Sequence, residues 1–498
     1  MSTSGNRTFP RSGVAVPFAA IVLAMLPAVL DQTILATALP TIAADLGRLT
    51  DVSWVVTAYV VAAAATTPLW GKLGDRHGRR RLLESSLTLF LAASALCGAA
   101  QDITMLVAAR IVQGTAAGGL MTLAMAAVGD LVSPRERGRY QGYVTAAFAI
   151  ATIVGPLVGG LLVDHASWRW VFYVNLPVGL AALTGLRLRF PASAPTGPRA
   201  PLDALGAALL AGATSALMLA CIWGGERYAW GSTTIAGLLA AALLLAGALV
   251  WRERRASDPI VPLHLLRTRT VALVSAALFL ATAALFAINV FVPLFLQTTT
   301  GASPTEAGLL LVPAMLGITL STNLAGRAIA RTGRYKRYPL AGLALMAAGL
   351  ALLAALAGHP SRTATGIGLA VFGLGFGMVG QVLIVAVQNG VDRRELGVAM
   401  AATSFFRALG GAVGAAVLGA VFAARAGAHS SRLGSVHGLS PAAQADVVDA
   451  VRTVFLVATP LALIALALVV LLREVPLRGP GERPAAPHSS GRPATARV

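Results

Sequence analysis

Gly71-Lys72-Leu73-Gly74-Asp75-Arg76-His77-Gly78-Arg79-Arg80-Arg81 lies between two long apolar stretches, and its pattern returns later in the chain. Gly71, Arg76, Gly78, Arg79 and Arg81 recur as Gly326, Arg331, Gly333, Arg334 and Lys336, an offset of 255 residues. A second string, Arg135-Glu136-Arg137-Gly138, recurs as Arg394-Glu395-Leu396-Gly397, an offset of 259, and Gly155 and Gly160 map to Gly414 and Gly419 at that same offset. Two matches at nearly one spacing mark an internal duplication.

Around these strings the chain is apolar in runs long enough to cross a bilayer, which takes roughly 20 residues. Such spans read at about 16–39, 53–70, 82–100, 104–127, 140–163, 168–187, 203–223, 233–251, 271–296, 304–326, 338–357, 363–387, 398–424 and 451–472. The duplication then shifts by eight spans and keeps its orientation. Two six-helix halves plus a two-helix insertion account for that shift. The expected fold is an all-α polytopic membrane protein of 14 transmembrane helices. Its parts would be an N-terminal bundle at 13–190, an insertion with linkers at 191–270 and a C-terminal bundle at 271–474. Residues 1–12 and 475–498 are polar and rich in Pro, Gly, Ser and Arg, and read as disordered. Parallel halves related about the membrane normal place substrate between them near the midplane.

Composition agrees. The 498 residues are 56% hydrophobic and 12% charged, which leaves no sizeable soluble domain. A formal charge of +19 raises nucleic acid as a partner, but its distribution argues against that. With both termini cytoplasmic, 30 of the 39 Lys and Arg fall on inner segments and 7 on outer loops, with Arg110 and Arg407 inside spans. That is the positive-inside bias of a multi-pass inner (plasma) membrane protein embedded in the lipid bilayer. Cys97 and Cys221 lie in apolar stretches and form no CxxC pair, so neither a metal nor a disulfide is expected. No cofactor is expected.

Asp31 lies deep in the first span, and a buried carboxylate costs several kcal/mol unless paired or functional. Arg110 lies in the fourth span. At 1.5 Å per residue the two sit roughly 13 and 9 Å below the outer face, so they meet if their helices face each other. An arginine partner favours the charged carboxylate; an empty apolar cavity favours the protonated one. Parting the pair would drive proton uptake. The alternative is a static ion pair that only sets helix packing. On the inner side, the glycines of the opening string allow a tight turn and close helix approach. Asp75 suits a helix N-terminus, and Arg79 can pair with Asp130.

The string Gly71–Arg81 resembles the loop signature of the major facilitator superfamily. Leu30-Asp31-Gln32-Thr33-Ile34 with Ala38-Leu39-Pro40 resembles the first-helix signature of its fourteen-helix drug:proton antiporters, the EmrB/QacA type. Arg110-Ile111-Val112-Gln113-Gly114 is similar to the fourth-helix arginine motif of that group. Ala151-Thr152-Ile153-Val154-Gly155-Pro156-Leu157-Val158-Gly159-Gly160 is similar to its antiporter motif, with Ala151 in place of the first Gly. Trp168-Arg169-Trp170 and Asn175-Leu176-Pro177 match its sixth-helix opening. The resemblance implies that Asp31 and Arg110 couple protons. It makes Gly71, Gly74, Asp75, Arg76, Gly78, Arg79 and Asp130 a gating loop in which Asp75 caps span 13. It makes Gly155, Pro156, Gly159 and Gly160 a bending, close-packing surface. Ala330 stands where the repeat copy would carry Asp75.

The implied activity is proton-coupled export of lipophilic small molecules such as drugs or antibiotics, with a monomer expected. Polar candidates for the substrate path are Gln113, Asn289, Asn323, Gln381 and Arg407, the last either facing the cavity or snorkelling. Asn323 and Gln381, with Gln297, Gln388 and Asn389, read mostly as interhelical hydrogen bonders. No acid lies deep in spans 9–14 and Glu306 is at an outer edge, so neutral, zwitterionic or singly charged substrates are expected rather than dications. An enzyme is the rival class, yet no HExxH, Walker or nucleophile-elbow string appears. A non-transporting scaffold would not need a duplication with coupling residues. A proton-coupled exporter of an endogenous amino acid, sugar or siderophore remains the alternative within transporters.

Overall fold

A computed structural model describes residues 11–46, 49–132, 136–190, 203–225, 227–256, 259–260, 265, 267–300, 310–358, 361–392, 395–426, 441–475 and 477. Their regular elements are helices, apart from an isolated bridge between Gly224 and Tyr228. The N-terminal half comprises α1 (Arg11–Leu46), α2 (Leu49–His77), α3 (Arg79–Gly98), α4 (Ile103–Leu131), α5 (Arg137–His165) and α6 (Trp170–Arg189). Two more helices follow, α7 (Ala204–Trp223) and α8 (Thr233–Glu253). The C-terminal half starts with α9, which runs from Arg269 to Thr300 through a π-helical turn at Ala287–Phe291. It continues with α10 (Val312–Thr332), α11 (Arg337–Leu356), α12 (Arg362–Gly390), α13 (Leu396–Ala426) and α14 (Pro441–Val470).

Thirteen helices among the described residues are long and apolar enough to cross a membrane. The expected count was 14; α10 falls outside the set, and it carries Asn323, Arg327 and Arg331 along one 21-residue helix. The expected start of that span, at 304–309, lies outside the described residues, as do 1–10, the 191–202 linker and 478–498. Two terminal expectations are corrected. Residues 11–12 are already helical. Val475 and Leu477 are docked, not loose: the Val475 amide donates to the Tyr335 hydroxyl (3.3 Å) and the Leu477 amide to the Gly333 carbonyl (3.0 Å). The 71–81 string is not a loop either. Helix α2 continues to His77 and α3 begins at Arg79, because a positive φ at Gly78 (92°) turns the chain in one residue.

The duplication is written into the packing. Helix α4 crosses α2 where a side chain on Gly114 would strike the Tyr59 carbonyl and one on Gly118 the Ala63 carbonyl. Helix α12 crosses α10 in the same way, Gly373 against the Ala314 carbonyl and Gly377 against the Ile318 carbonyl. These residues are the 259- and 255-offset copies of one another. The relation also holds between the halves. Gly71 of α2 meets Gly397 of α13, and its copy Gly326 of α10 meets Gly138 of α5, itself the copy of Gly397. Small residues let backbones touch where no apolar driving force separates helix from lipid. The halves therefore face each other about a pseudo-two-fold axis, with α2–α13 and α5–α10 as equivalent seams.

Both seams close at the face that carries Arg79–Arg81 and Arg331–Arg337, here the basic face. The Asn323 amide donates to the Gly142 carbonyl across α10–α5 (3.3 Å). Arg137 of α5 donates to the Gln388 carbonyl of α12 (2.8 Å), and the Gln388 amide to the Met125 carbonyl of α4 (3.1 Å). Helix α7 packs on α2 and α13, and α8 packs on α7, outside the two bundles. Cysteines at the α5–α10 seam (Gly142→Cys with Asn323→Cys, Cys97 and Cys221 replaced by Ala) should form a disulfide under mild oxidant. The crosslink should reverse on reduction; its absence on non-reducing gels would refute the closed seam.

Candidate functional site

The deepest polar cluster joins α1, α3, α4 and α6. Asp31 is fully buried, and Arg110 is 1% exposed. Arg110 Nη1 donates to Asp31 Oδ2 at 2.5 Å and to Gln113 Oε1 at 2.6 Å, and its Nε donates to the Val55 carbonyl at 3.0 Å. The other carboxylate oxygen, Asp31 Oδ1, accepts from Gln113 Nε2 at 2.9 Å and Asn175 Nδ2 at 3.3 Å. Ser94 ties the two amides together. It accepts from Gln113 (3.1 Å) and Asn175 (2.9 Å) and donates to the Phe172 carbonyl (3.0 Å). The guanidinium lies over the Tyr59 ring, 4.1 Å from its centroid.

Backbone geometry explains why these groups meet. The Gly114 crossing brings α2 against α4, which delivers both Tyr59 and the Val55 carbonyl to Arg110. Gly155 and Gly159 of α5 pack on Thr33, Ile34 and Thr37 of α1, one turn beyond Asp31. At the far end of α1, Asp45 accepts from Trp168 Nε1 (2.8 Å) and Arg169 Nη1 (3.1 Å), and Arg169 also reaches the Ala100 carbonyl (3.1 Å). That anchor sets the register in which Asn175 enters the cluster.

A second cluster sits at the basic face. Asp75 Oδ1 accepts the Gly397 amide and Oδ2 the Val398 amide, both at 3.0 Å. The carboxylate of one half thus caps the N-terminus of a helix of the other, where orphan amides and the helix dipole favour an anion. Arg79 holds Asp75 from behind (Nη2 to Oδ1, 2.8 Å) and pairs with Asp130 through Nη1. Asp75 and Arg79 are each 5% exposed. Gly71 and Gly74 leave room for this approach, against Gly397 and Leu123 respectively. Arg76 lies half-buried at the end of α2.

The remaining expectations divide. Gln113 is fully buried within the Asp31 cluster, so it is not on an open substrate path. Asn323 is engaged in the α5–α10 seam rather than free for substrate. Asn289 is exposed on the π-helical turn of α9, Gln381 is half-buried on α12, and Arg407 is half-buried on α13. Gly155 and Gly159 pack closely on α1, but nothing approaches Gly160, and Pro156 is exposed in an unbroken helix, so the close-packing surface is narrower than the motif suggested. The partners that sequence reading left without a role are Ser94 and Asn175. The spacing of Asn175 after Trp168-Arg169 was the available signal; Ser94 had none.

A duplicated helical bundle around a buried acid–arginine pair defines a polytopic membrane transporter. The sequence profile described as Major Facilitator Superfamily matches residues 21–415, and the chain belongs to that superfamily. An uncharacterised MFS-type transporter of Mycobacterium tuberculosis is 39% identical over 481 residues, covering 92% of this chain and 69% of its own. The multidrug transporter protein MdtP of Bacillus subtilis is 37% identical over 407 residues, covering 82% and 75%. Among solved structures, the human organic anion transporter MFSD10 superposes with a TM-score of 0.65 at 17% identity, covering 93% of this chain and all (100%) of that one. The proton:xylose symporter XylE superposes at 0.62 and 15% identity, covering 92% and 95%. These two show the shared fold.

Asp75→Ala removes the cap and strands two amides, at a cost of about 2–3 kcal/mol to the closed seam. A reporter cysteine at Gly142→Cys should then label faster with a thiol reagent applied to the basic face. Asp75→Asn should label less than the alanine variant, because Asn still caps; equal labelling in both would exclude capping as the cause. Hydrogen bonds from Trp168 and then Arg169 hold the Asp45 carboxyl below its usual range. Its anchor is therefore present above the unfolded value of about 3.9 and lost as pH falls through the lower folded value. Asp45→Asn should lower the thermal midpoint at pH 7, and the difference should begin to shrink near about pH 3.9 and vanish once the pH is below the lower folded value.

Proposed function

We propose that this chain is a proton-coupled antiporter that exports lipophilic small molecules across the cytoplasmic membrane by alternating access. It belongs on this reading to the fourteen-helix drug:proton antiporters, with α10 as the remaining span and α7–α8 as the insertion. The basic face lies in the cytoplasm, as the Lys/Arg bias requires, so both termini are cytoplasmic. The multidrug and efflux names of relatives at 33–37% identity support export as the direction.

The Asp31 cluster is the observation that carries the reading. In the closed-seam state the carboxylate is charged and held by three donors: Arg110, Gln113 and Asn175. With the basic face closed, a proton arriving from the outer side parts Asp31 from Arg110 and neutralises the carboxylate. A protonated Asp31 becomes a donor. Asn175 Oδ1 is buried without a hydrogen-bond partner, so turning that amide supplies the acceptor. Rocking the halves then opens the basic face, Arg110 re-pairs with Asp31 and the proton leaves on the cytoplasmic side. A structural ion pair would gain little over apolar packing of the same volume, which favours a pair kept for switching.

Asp31→Asn keeps the size and hydrogen bonds of the site but cannot carry a proton. It should insert normally and abolish pH-gradient-driven efflux of a lipophilic fluorophore from everted vesicles, to the background of vesicles without the protein. Retention of full gradient-driven efflux in that variant would overturn proton coupling at Asp31.

A further inference from the structure

The C-terminal half has no copy of the proton site. Leu369 and Phe372 stand at the 259-offset positions of Arg110 and Gln113, and both are buried apolar residues. Its intramembrane charge is Arg407. This residue lies eleven positions into α13, about three turns from the helix end. Its side chain spans little more than one turn, about 5.4 Å, so it does not reach the basic face. Among the described residues it makes no hydrogen bond or ion pair, and burial acts on it without any nearby acid. The other deep arginines of the transporter are the opposite case: Arg110, Arg79 and Arg137 are each held by named partners.

The setting of Arg407 is defined by its helix. Phe405, Phe406 and Leu409 line an apolar cavity of about 590 Å³ shared with α2, α7 and α8. Gly410 and Gly414, one and two turns on, pack against Phe279 and Ala283 of α9. Steps of 100° place Arg407 on the α9 side, away from that cavity. At similar depth a further polar atom is buried without a partner: Thr282 Oγ1 on α9, beside Gly411. A half-buried guanidinium with no acid partner is costly at this depth, and in membrane proteins such residues mark substrate paths.

We infer that Arg407 is an anion-recognition point for lipophilic substrates that carry one carboxylate or similar oxyanion. The guanidinium binds the anion, and the Thr282 hydroxyl is a second donor. This rests on the transporter reading above and narrows its substrate class to singly charged acids.

The test uses the purified full chain in phosphatidylcholine nanodiscs, where no anionic headgroup competes, titrated with 1-pyrenebutyrate and its methyl ester. Wild type should bind the acid about tenfold or more tightly than the ester. Arg407→Gln should erase that preference and leave ester binding unchanged, which also reports a folded protein; Arg407→Lys should restore part of it. Equal binding of acid and ester by wild type, a preference that survives in Arg407→Gln, or loss of both ligands in Arg407→Gln would each overturn the assignment. Coupled efflux in Asp31→Asn is read separately. No acid preference in wild type, together with loss of efflux in Asp31→Asn, refutes the anion site alone; an acid preference that Arg407→Gln erases, together with full efflux in Asp31→Asn, refutes antiport alone.

Discussion

A carboxylate and a guanidinium share a dry site between α1 and α4, and the geometry of the N-terminal half is arranged to hold them. Either charge alone at that depth would cost several kcal/mol. Together, with Gln113, Asn175, Ser94 and the Val55 carbonyl, their hydrogen-bonding capacity is nearly filled. The close α2–α4 crossing at Gly114 has a purpose in this light: without it neither the Tyr59 face nor the Val55 carbonyl reaches Arg110. The Asp45–Trp168–Arg169 anchor has one too, because it sets the register of α6 that brings Asn175 in.

The second constraint is the pair of seams. The α2–α13 and α5–α10 seams use the same glycine contacts, yet they are not equally fastened. Asp75 caps α13 in one, while Ala330 occupies the matching position in the other, where Asn323 bonds to a carbonyl instead. A charge-assisted cap is roughly twice as strong as a neutral bond. The basic face therefore closes asymmetrically, with the stronger clasp built from the half that also holds Asp31. Opening must break that clasp, and Arg79 links it to α4 through Asp130 and the Ala126 carbonyl. Helix α4 is thus common to both clusters.

Duplication followed by divergence accounts for the uneven chemistry. The copies kept the small residues that fix helix crossings, such as Gly114 and Gly373, because backbone contact tolerates nothing larger. They parted at the polar positions, where Arg110 and Gln113 face Leu369 and Phe372. One half holds the buried acid–arginine pair, and the other is left with Arg407.

Much of this was readable before any coordinates. The repeat offsets, the buried acid, the capping acid and the absence of its copy all follow from residue type and spacing, since burying a charge or a glycine contact constrains identity at one position. The extent of helices at the basic face was not readable. Apolarity marks only where lipid begins and ends, and α2 continues through polar residues to Gly78. Nor could spacing show that Gln113 and Asn323 are already engaged, that Gly160 touches nothing, or that Ser94 joins the Asp31 cluster. Those facts depend on which faces of separate helices meet, and a hydrogen bond between residues 80 to 180 positions apart leaves no periodic trace along the chain. Linear order decided the number and character of the elements; the crossing of glycine-lined helices decided which polar groups became partners.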